Sequence, residues 1–364
     1  MQIRATREQV MPALMRVSGV VERRQTLPIL GNLLISATDS CVRLTGTDLE
    51  VEVQSEFSAD VGEPGDVTIP ARKFMDICRA LPEGAEMFLK VEQERAALVA
   101  GRSRFALGTL PAKGFPIMEV GGGEHRIELE QGRLKYILDK TAFAMAHQDV
   151  RYYLNGLLLS LKDGGVTAVA TDGHRLAKVE ISLDVGGDVE VILPRKTVME
   201  LNRLLSGTDY PCAIDFSEKS ARVSIDETVL TSKLVDGRYP DYQRVIPRGG
   251  QRLAVADREA LRQALGRTAI LSNEKYKGVT LSFEPGGLKC LAHNPEQEEA
   301  EEDLTVEYEG ERTAIGFNVG YLMDVLNVLD KDEVEIMFTD SNNSAVLRNR
   351  GVEGETFVVM PMRL

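Results

Sequence analysis

The chain has 364 residues, 43% hydrophobic and 27% charged, and its 43 basic and 56 acidic side chains leave a net charge of −13. That length and balance suit a globular protein of two or three domains, and the acidity argues against tight static nucleic-acid binding, whose affinity rests on phosphate contacts. No apolar run approaches the roughly 18 residues that span a bilayer, and the opening MQIRATREQVMPAL carries no apolar signal core, so the expected location is the cytoplasm.

In chain order, Thr6 is an N-cap candidate for an amphipathic helix over 6–21, which Pro12 should kink or shorten. An alternating run over 42–57 folds at a turn near Asp48, and "PARKFMDICRALPEGAE" (70–86) predicts a second helix. The pattern then recurs: a helix over 130–146, a hairpin over 166–181 turning at Asp172-Gly173, and a helix over 194–209. A third round follows, with Asp257 capping a helix over 257–271, a run over 288–308 and a helix over 320–333. Shifted by 124 residues, Met75 falls on Met199 and then on Met323, Asp48 on Asp172, and Phe115-Pro116 on Tyr239-Pro240. Gly-rich punctuation at 118–125 and 245–252 separates three homologous units, 1–122, 123–247 and 248–364. The fold class is α+β, each unit having two helices packed on antiparallel sheets of about eight strands.

Charge is partitioned. Nine of the 18 residues in 294–311 are acidic, whereas bases gather in or near helices, among them Arg7, Arg16, Arg72, Lys73, Lys140, Arg195, Lys196 and Arg203. Antiparallel sheets covered on one face leave edges open, and closed rings remove edges. The four cysteines, Cys41, Cys78, Cys212 and Cys290, are never closely spaced, so neither a metal site nor a disulfide framework is expected.

"TDGHRLAK" (171–178) places an aspartate, a histidine and an arginine together, as a base and its orienter would be. Asp-Gly between apolar strands is a strong hairpin signal, however, and Asp48 repeats the aspartate in the first unit. The histidines outside this stretch, His125, His147 and His293, lack metal-ligand spacing. No nucleophile elbow, phosphate loop or zinc-protease motif occurs, so no catalysis and no cofactor are expected. A sequence-reading DNA binder would need a helix built for the major groove, which no motif supplies. A scaffold that never meets nucleic acid would explain the repeat and the acidity but not the basic helices.

The stretches "TLPILGNLL", "TGTDLE", "GRSRF", "MAHQDVRYYLNG", "ATDGHRLA", "TSKLVDGRYPDY", "NPEQEEAEE" and the terminal "VVMPMRL" resemble the β subunit of bacterial DNA polymerase III, the sliding-clamp family, and the likeness runs from end to end. The resemblance implies the DNA-clamp fold: a head-to-tail homodimer of three-unit protomers forming a six-unit ring, twelve helices inside and sheets outside. Helices packed at ~9 Å leave a hole of about 25 Å, wide enough for duplex DNA. The implied function is to encircle double-stranded DNA, slide without sequence specificity, and tether the replicative polymerase. The clamp loader and repair and translesion polymerases would dock through short linear motifs. The family is non-catalytic, uses no cofactor or metal, and works at the nucleoid.

The resemblance also assigns residues. A partner-peptide cleft would take Leu154 and Thr171 as floor and Gly173, His174, Arg175 and Leu176 as one wall. Pro240, Arg244 and Val245 would join from before the linker, and Val358, Met360, Pro361, Met362 and Arg363 from the C-terminal segment. Asn318, Tyr321 and Ser344 would belong to the third unit's side. DNA would meet Arg24, Arg72, Gln148, Arg151, Tyr152, Tyr153, Arg195 and Lys196. The ring would close where Arg102, Ser103, Arg104, Phe105 and Leu107 face Ile270, Leu271, Glu298, Glu299, Glu301 and Glu302 of the other copy. Exposed ion pairs contribute only ~0–1 kcal/mol each, so the apolar Phe105, Ile270 and Leu271 should dominate that contact.

Overall fold

The computed structural model describes residues 1–22, 27–118, 125–183, 188–247 and 252–363. Among them are six α-helices: α1 (Arg7–Ser18), α2 (Ala71–Ala80), α3 (Gln131–Thr141), α4 (Arg195–Leu204), α5 (Arg258–Thr268) and α6 (Val319–Val328). Thr6 caps α1 in a box with Gln9, and Asp257 caps α5 by accepting from the Ala260 N–H. Pro12 does not shorten α1, which runs six residues beyond it. The helices beginning near 130 and 257 end earlier than the periodicity suggested, at Thr141 and Thr268, and each passes into a short 3-10 turn, Ala142–Ala144 and Ala269–Leu271.

The chain forms two compact units, Met1–Lys135 with Lys196–Leu234, and Tyr136–Arg195 with Val235–Leu364. In the first, an eight-stranded antiparallel sheet runs from His125–Glu130 through Pro211–Phe216, Ser220–Ile225, Thr228–Lys233, Val51–Ser58, Cys41–Thr47 and Asn32–Thr38 to Gly65–Pro70. Beside it is a five-stranded sheet in the order Asp60–Glu63, Gln2–Thr6, Glu86–Glu92, Arg95–Ala100, Ser103–Gly108. The amphipathic face of α1 buries Val10, Ala13, Leu14 and Val17, each leucine-sized side chain worth about 1.5–3 kcal/mol.

The second unit repeats the plan. Its eight-stranded sheet follows the order Val189–Pro194, Gly156–Lys162, Gly165–Thr171, Arg175–Ser182, Glu355–Val359, Ala345–Asn349, Glu333–Phe338, Arg252–Asp257. A four-stranded sheet runs Glu299–Thr305, Gly287–His293, Gly278–Glu284, Thr313–Asn318. Leu261, Ala264 and Leu265 of α5 and Leu322, Val325 and Leu326 of α6 close its core.

The 124-residue repeat is visible in hydrogen bonds. Asp48 Oδ1 accepts the N–H groups of Glu50 and Val51 at 2.9 and 2.7 Å, and Asp172 Oδ1 accepts those of His174 and Arg175 at 2.9 and 3.0 Å. The preceding threonines match as well: Thr47 Oγ1 donates to Val51 O, and Thr171 Oγ1 to Arg175 O. Phe115 and Tyr239, paired by the same shift, are both buried. The aspartate of TDGHRL is therefore a turn-builder, its Oδ1 taken by the backbone of its own turn.

Candidate functional site

A cleft of about 190 Å³ opens in the second unit, lined by Arg151, Tyr153, Leu154, Thr171, Gly173, Arg175, Leu176, Pro240, Asp241, Tyr242, Val245, Val358 and Met360. Its apolar floor is continuous with a buried cluster of Leu154, Leu158, Leu176, Tyr239 and Val358. The turn at Asp172 makes one wall. Gly173 has φ +89°, and a Cβ there would lie 3.1 Å from Arg151 Nη1.

Arg175 holds that wall rigid. Its guanidinium donates to Asp172 at 3.1 Å, to Asp324 of α6 and to Phe143 O at 2.9 Å, and it stacks over Tyr321, 4.7 Å from the ring centre. His174 is exposed and its ring stacks on Tyr321 at 6.2 Å, so these two residues form a shelf. Asn318 caps α6 through Gly320 N and also donates to Tyr276 O.

Eight of the predicted cleft residues are absent from that lining: His174, Asn318 and Tyr321, and also Arg244, Ser344, Pro361, Met362 and Arg363. Arg244 is 84% exposed and pairs with Asp241. The reason is the 3-10 turn Tyr242–Arg244, in which residues three apart align, so Tyr242 and Val245 face the cleft and Arg244 does not. Met360 extends the sheet, its N–H donating to His174 O, but Pro361 has no N–H to continue the ladder. Met362 N–H turns instead to Gly316 O, and Met362 and Arg363 line a separate hollow with Tyr276, Leu291 and His293. Ser344 is half-buried just ahead of the strand Ala345–Asn349 and does not line the cleft. Asp241 and Tyr242, which sequence reasoning missed, lie inside the quoted TSKLVDGRYPDY, and the i, i+3 spacing of Tyr242 and Val245 was the signal for Tyr242.

The residues expected to touch DNA are dispersed. Arg24 lies outside the described residues. Arg72 is exposed on the first turn of α2, and Gln148 is exposed with φ +55°. Tyr152 is 57% exposed, but Arg151 and Tyr153 line the cleft. Arg151 pairs with Asp149 at 2.8 Å, which holds that carboxyl down at about 2, and donates to Asp172 O. Arg195 donates to Met145 O, and Lys196 of α4 reaches Asp48 and Glu22, so both cations are engaged within the protein. Lys140, counted among the basic helix residues, is buried and paired.

The proposed closure residues fall on two sheet edges. Arg102 precedes the edge strand Ser103–Gly108, on which Ser103 and Arg104 are exposed, Phe105 is half-buried and Leu107 is buried. In the second unit Glu299–Thr305 is an edge strand, with Ile270 77% exposed and Leu271 half-buried on the adjacent 3-10 turn. Glu302 is held by Arg267 at 2.6 and 2.8 Å, Glu301 by Lys289, and Glu298 by Asn294, while Glu299 is exposed.

No cluster of three metal-ligating side chains occurs among the described residues, and no helix there is long and apolar enough to cross a membrane. Family models for the DNA polymerase III beta subunit match in succession: the N-terminal domain over residues 1–119, the central domain over 128–241 and the C-terminal domain over 243–363. The beta sliding clamp of Pseudomonas putida is 50% identical over 361 residues, covering 98% of each chain, and that of Escherichia coli K12 is 47% identical over 368 residues, covering both fully. The crystal structure of DNA polymerase III subunit beta from Pseudomonas aeruginosa superposes with a TM-score of 0.97 at 48% identity, covering all of both chains. Griselimycin-bound clamps from Pseudomonas aeruginosa and Bartonella birtlesii, 49% and 40% identical and fully covered, also superpose at 0.97. The chain belongs to the DNA polymerase III β subunit family, the DNA sliding clamps, which are non-catalytic processivity factors of the polymerase holoenzyme.

Proposed function

We propose that this clamp acts as a head-to-tail homodimer, a ring of six repeats at 1–122, 123–247 and 248–364 of each copy, that encircles duplex DNA in the cytoplasm. The observation that carries this is the pair of unpaired edge strands, Ser103–Gly108 and Glu299–Thr305. Each protomer has one of each, with Arg104 on the first, Arg102 just before it, and glutamates on the second, so a second copy satisfies both edges at once. DNA is held topologically. The net charge of −13 and the internal pairing of Arg195, Lys196 and Lys140 reduce the positive charge offered to phosphates, which favours loose, rapidly exchanging contacts and hence sliding. Arg72, Gln148 and Tyr152 remain exposed for such contacts.

The cleft between Leu154 and Met360 takes the partners. Its apolar floor and the Tyr153 and Tyr242 rings suit a short linear motif from the replicative polymerase, the loader, or a repair or translesion polymerase, and they suit the griselimycin that related clamps bind. Met360 at the rim gives an adaptable surface for several partners. A disordered motif must be ordered on docking, so affinities near ~1 μM are expected, weak enough for exchange on one ring.

The deciding experiment loads the clamp, with its loader and ATP, onto nicked circular DNA and follows it by gel filtration before and after a single linearising cut. The clamp should travel with the circle through high salt and leave after the cut. Equal retention on linear and circular DNA, or none on either, would mean that the chain is not a topological clamp and would favour the scaffold reading.

A further inference from the structure

We propose that a buried cluster of Tyr136, Lys140 and Glu355 positions the strand Glu355–Val359, and through it Val358 and Met360 in the cleft. This rests on the reading of that cleft as the partner site. Lys140, on the last turn of α3, is 5% exposed, and Glu355 is 4% exposed. The Lys140 ammonium lies 3.1 Å from Glu355 Oε1 and 3.2 Å from Asp330 Oδ2. The Tyr136 hydroxyl donates to the same Glu355 oxygen, and Asn349 Nδ2 donates to the other at 2.7 Å. Burial and the Glu355 carboxylate raise the pKa of the Tyr136 phenol, so it stays a donor.

The molecule carries its own control for this cluster. In the first unit the strand Thr228–Lys233 lies against Val51–Ser58 with Thr228 opposite Ser55; in the second, Glu355 lies opposite Val179, one repeat of 124 residues on. The strand ends correspond too, because Lys233 N–H donates to Glu50 O as Met360 N–H donates to His174 O, both at 2.9 Å. In the first unit the place of Glu355 is held by two hydroxyls, Ser55 and Thr228, at 2.9 Å. There α1 offers Pro12 and Arg16 where α3 offers Tyr136 and Lys140, and Arg16 comes no nearer than 4.0 Å to Glu227.

A neutral pair therefore suffices to join such strands, and a buried ammonium costs several kcal/mol in desolvation before its partners repay it. What the second joint has in addition is the use of its strand end: three residues after Glu355, Val358 lines the cleft, and Met360 follows. Directional bonds from α3 and from the neighbouring strand, through Asn349, set the register and tilt of that strand more sharply than apolar contact does. A cleft wall held this way keeps its width when a ligand enters or leaves.

The test uses full-length protein titrated calorimetrically with griselimycin, beside melting temperature and dimer mass. Lys140→Met strands the Glu355 carboxylate, and griselimycin affinity should fall about tenfold with the dimer intact. In Lys140→Met/Glu355→Leu, an apolar pair replaces the ions. The melting temperature should return to the native value or above, while affinity stays reduced because the directional bonds are gone. Affinity within twofold of native in both variants, or affinity that recovers with melting temperature in the double variant, would overturn the positioning role. Met360→Ala separates the two ideas: unchanged griselimycin affinity there would remove the cleft reading and this inference with it, whereas a loss there without one in the Lys140 variants would overturn this inference alone.

Discussion

Asp48 and Asp172 do the same work one repeat apart, but the residues after them differ, and the difference is measurable. Leu49 sits at φ +79° where Gly173 sits at φ +89°. Glycine adopts that region without strain, whereas a side chain there costs of order 1–3 kcal/mol. Gly173→Ala should therefore destabilise by about 1–2 kcal/mol in urea unfolding, with Arg151 pushed from its place over the turn. Leu49→Gly relieves strain of the same kind but adds freedom to the unfolded chain, so its net effect should stay within about 0.5 kcal/mol of zero. A Gly173→Ala variant as stable as the native protein would show that the turn is not held as described. Catalytic-looking letters at 172–175 are thus explained by backbone geometry: the aspartate is spent on two N–H groups, and the arginine on Asp172, Asp324 and Phe143.

At the scale of elements, the strand Val51–Ser58 carries a carboxylate inside a sheet. Glu52 is 2% exposed and accepts the Met118 N–H at 2.9 Å and the Gln54 amide at 2.8 Å, tying the segment near 118 onto the sheet. Burial raises its pKa above the usual 4.5, against the opposing effect of those bonds. The sign follows from linkage. A raised folded value makes the contribution to stability fully present below the unfolded pKa and lost as pH rises through the folded one. Glu52→Gln stays neutral and keeps one acceptor, so it should melt higher than the native chain at pH 7, with the advantage shrinking as pH falls toward 4. A melting difference that does not change with pH would show that Glu52 does not titrate within the sheet. Helix caps at Thr6 and Asp257 were readable because capping is a contact between residues three apart. The ends of α3 and α5 were not, because apolar periodicity continues through the 3-10 turns that follow them.

At the scale of the whole molecule, the proposed ring depends on the apolar residues at the two sheet edges. Ile270 is 77% exposed in the protomer, an unusual place for an isoleucine, and Glu301 and Glu302 are already neutralised by Lys289 and Arg267. With those acids occupied, the arginines at 102 and 104 gain little from them, and apolar burial must supply the association energy. Ile270→Ala/Leu271→Ala should therefore sediment as a monomer at micromolar concentration while keeping the protomer's melting behaviour. A variant that stays dimeric would move the interface away from this turn.

The α+β class, the 124-residue repeat, the turn aspartates, and membership in the clamp family through motifs spread along the chain were all legible in the letters. These are carried by local propensity and by spacing, both of which are written in consecutive letters. The folded chain, not the letters, set which of the bases on helices remain available. Lys140 and Lys196 are spent on carboxylates that stand about 150 to 215 positions away in the chain, such as Asp48 and Glu355, and a letter shows its charge but not its partner. It also decided where the cleft ends. The walls come from segments near 151–154, 171–176, 240–245 and 358–360, brought together by pairing of the strands Arg175–Ser182 and Glu355–Val359. Pro361 breaks that ladder and sends Met362 and Arg363 toward Gly316, because a missing N–H can be read from the sequence, whereas the strand that receives the chain next cannot.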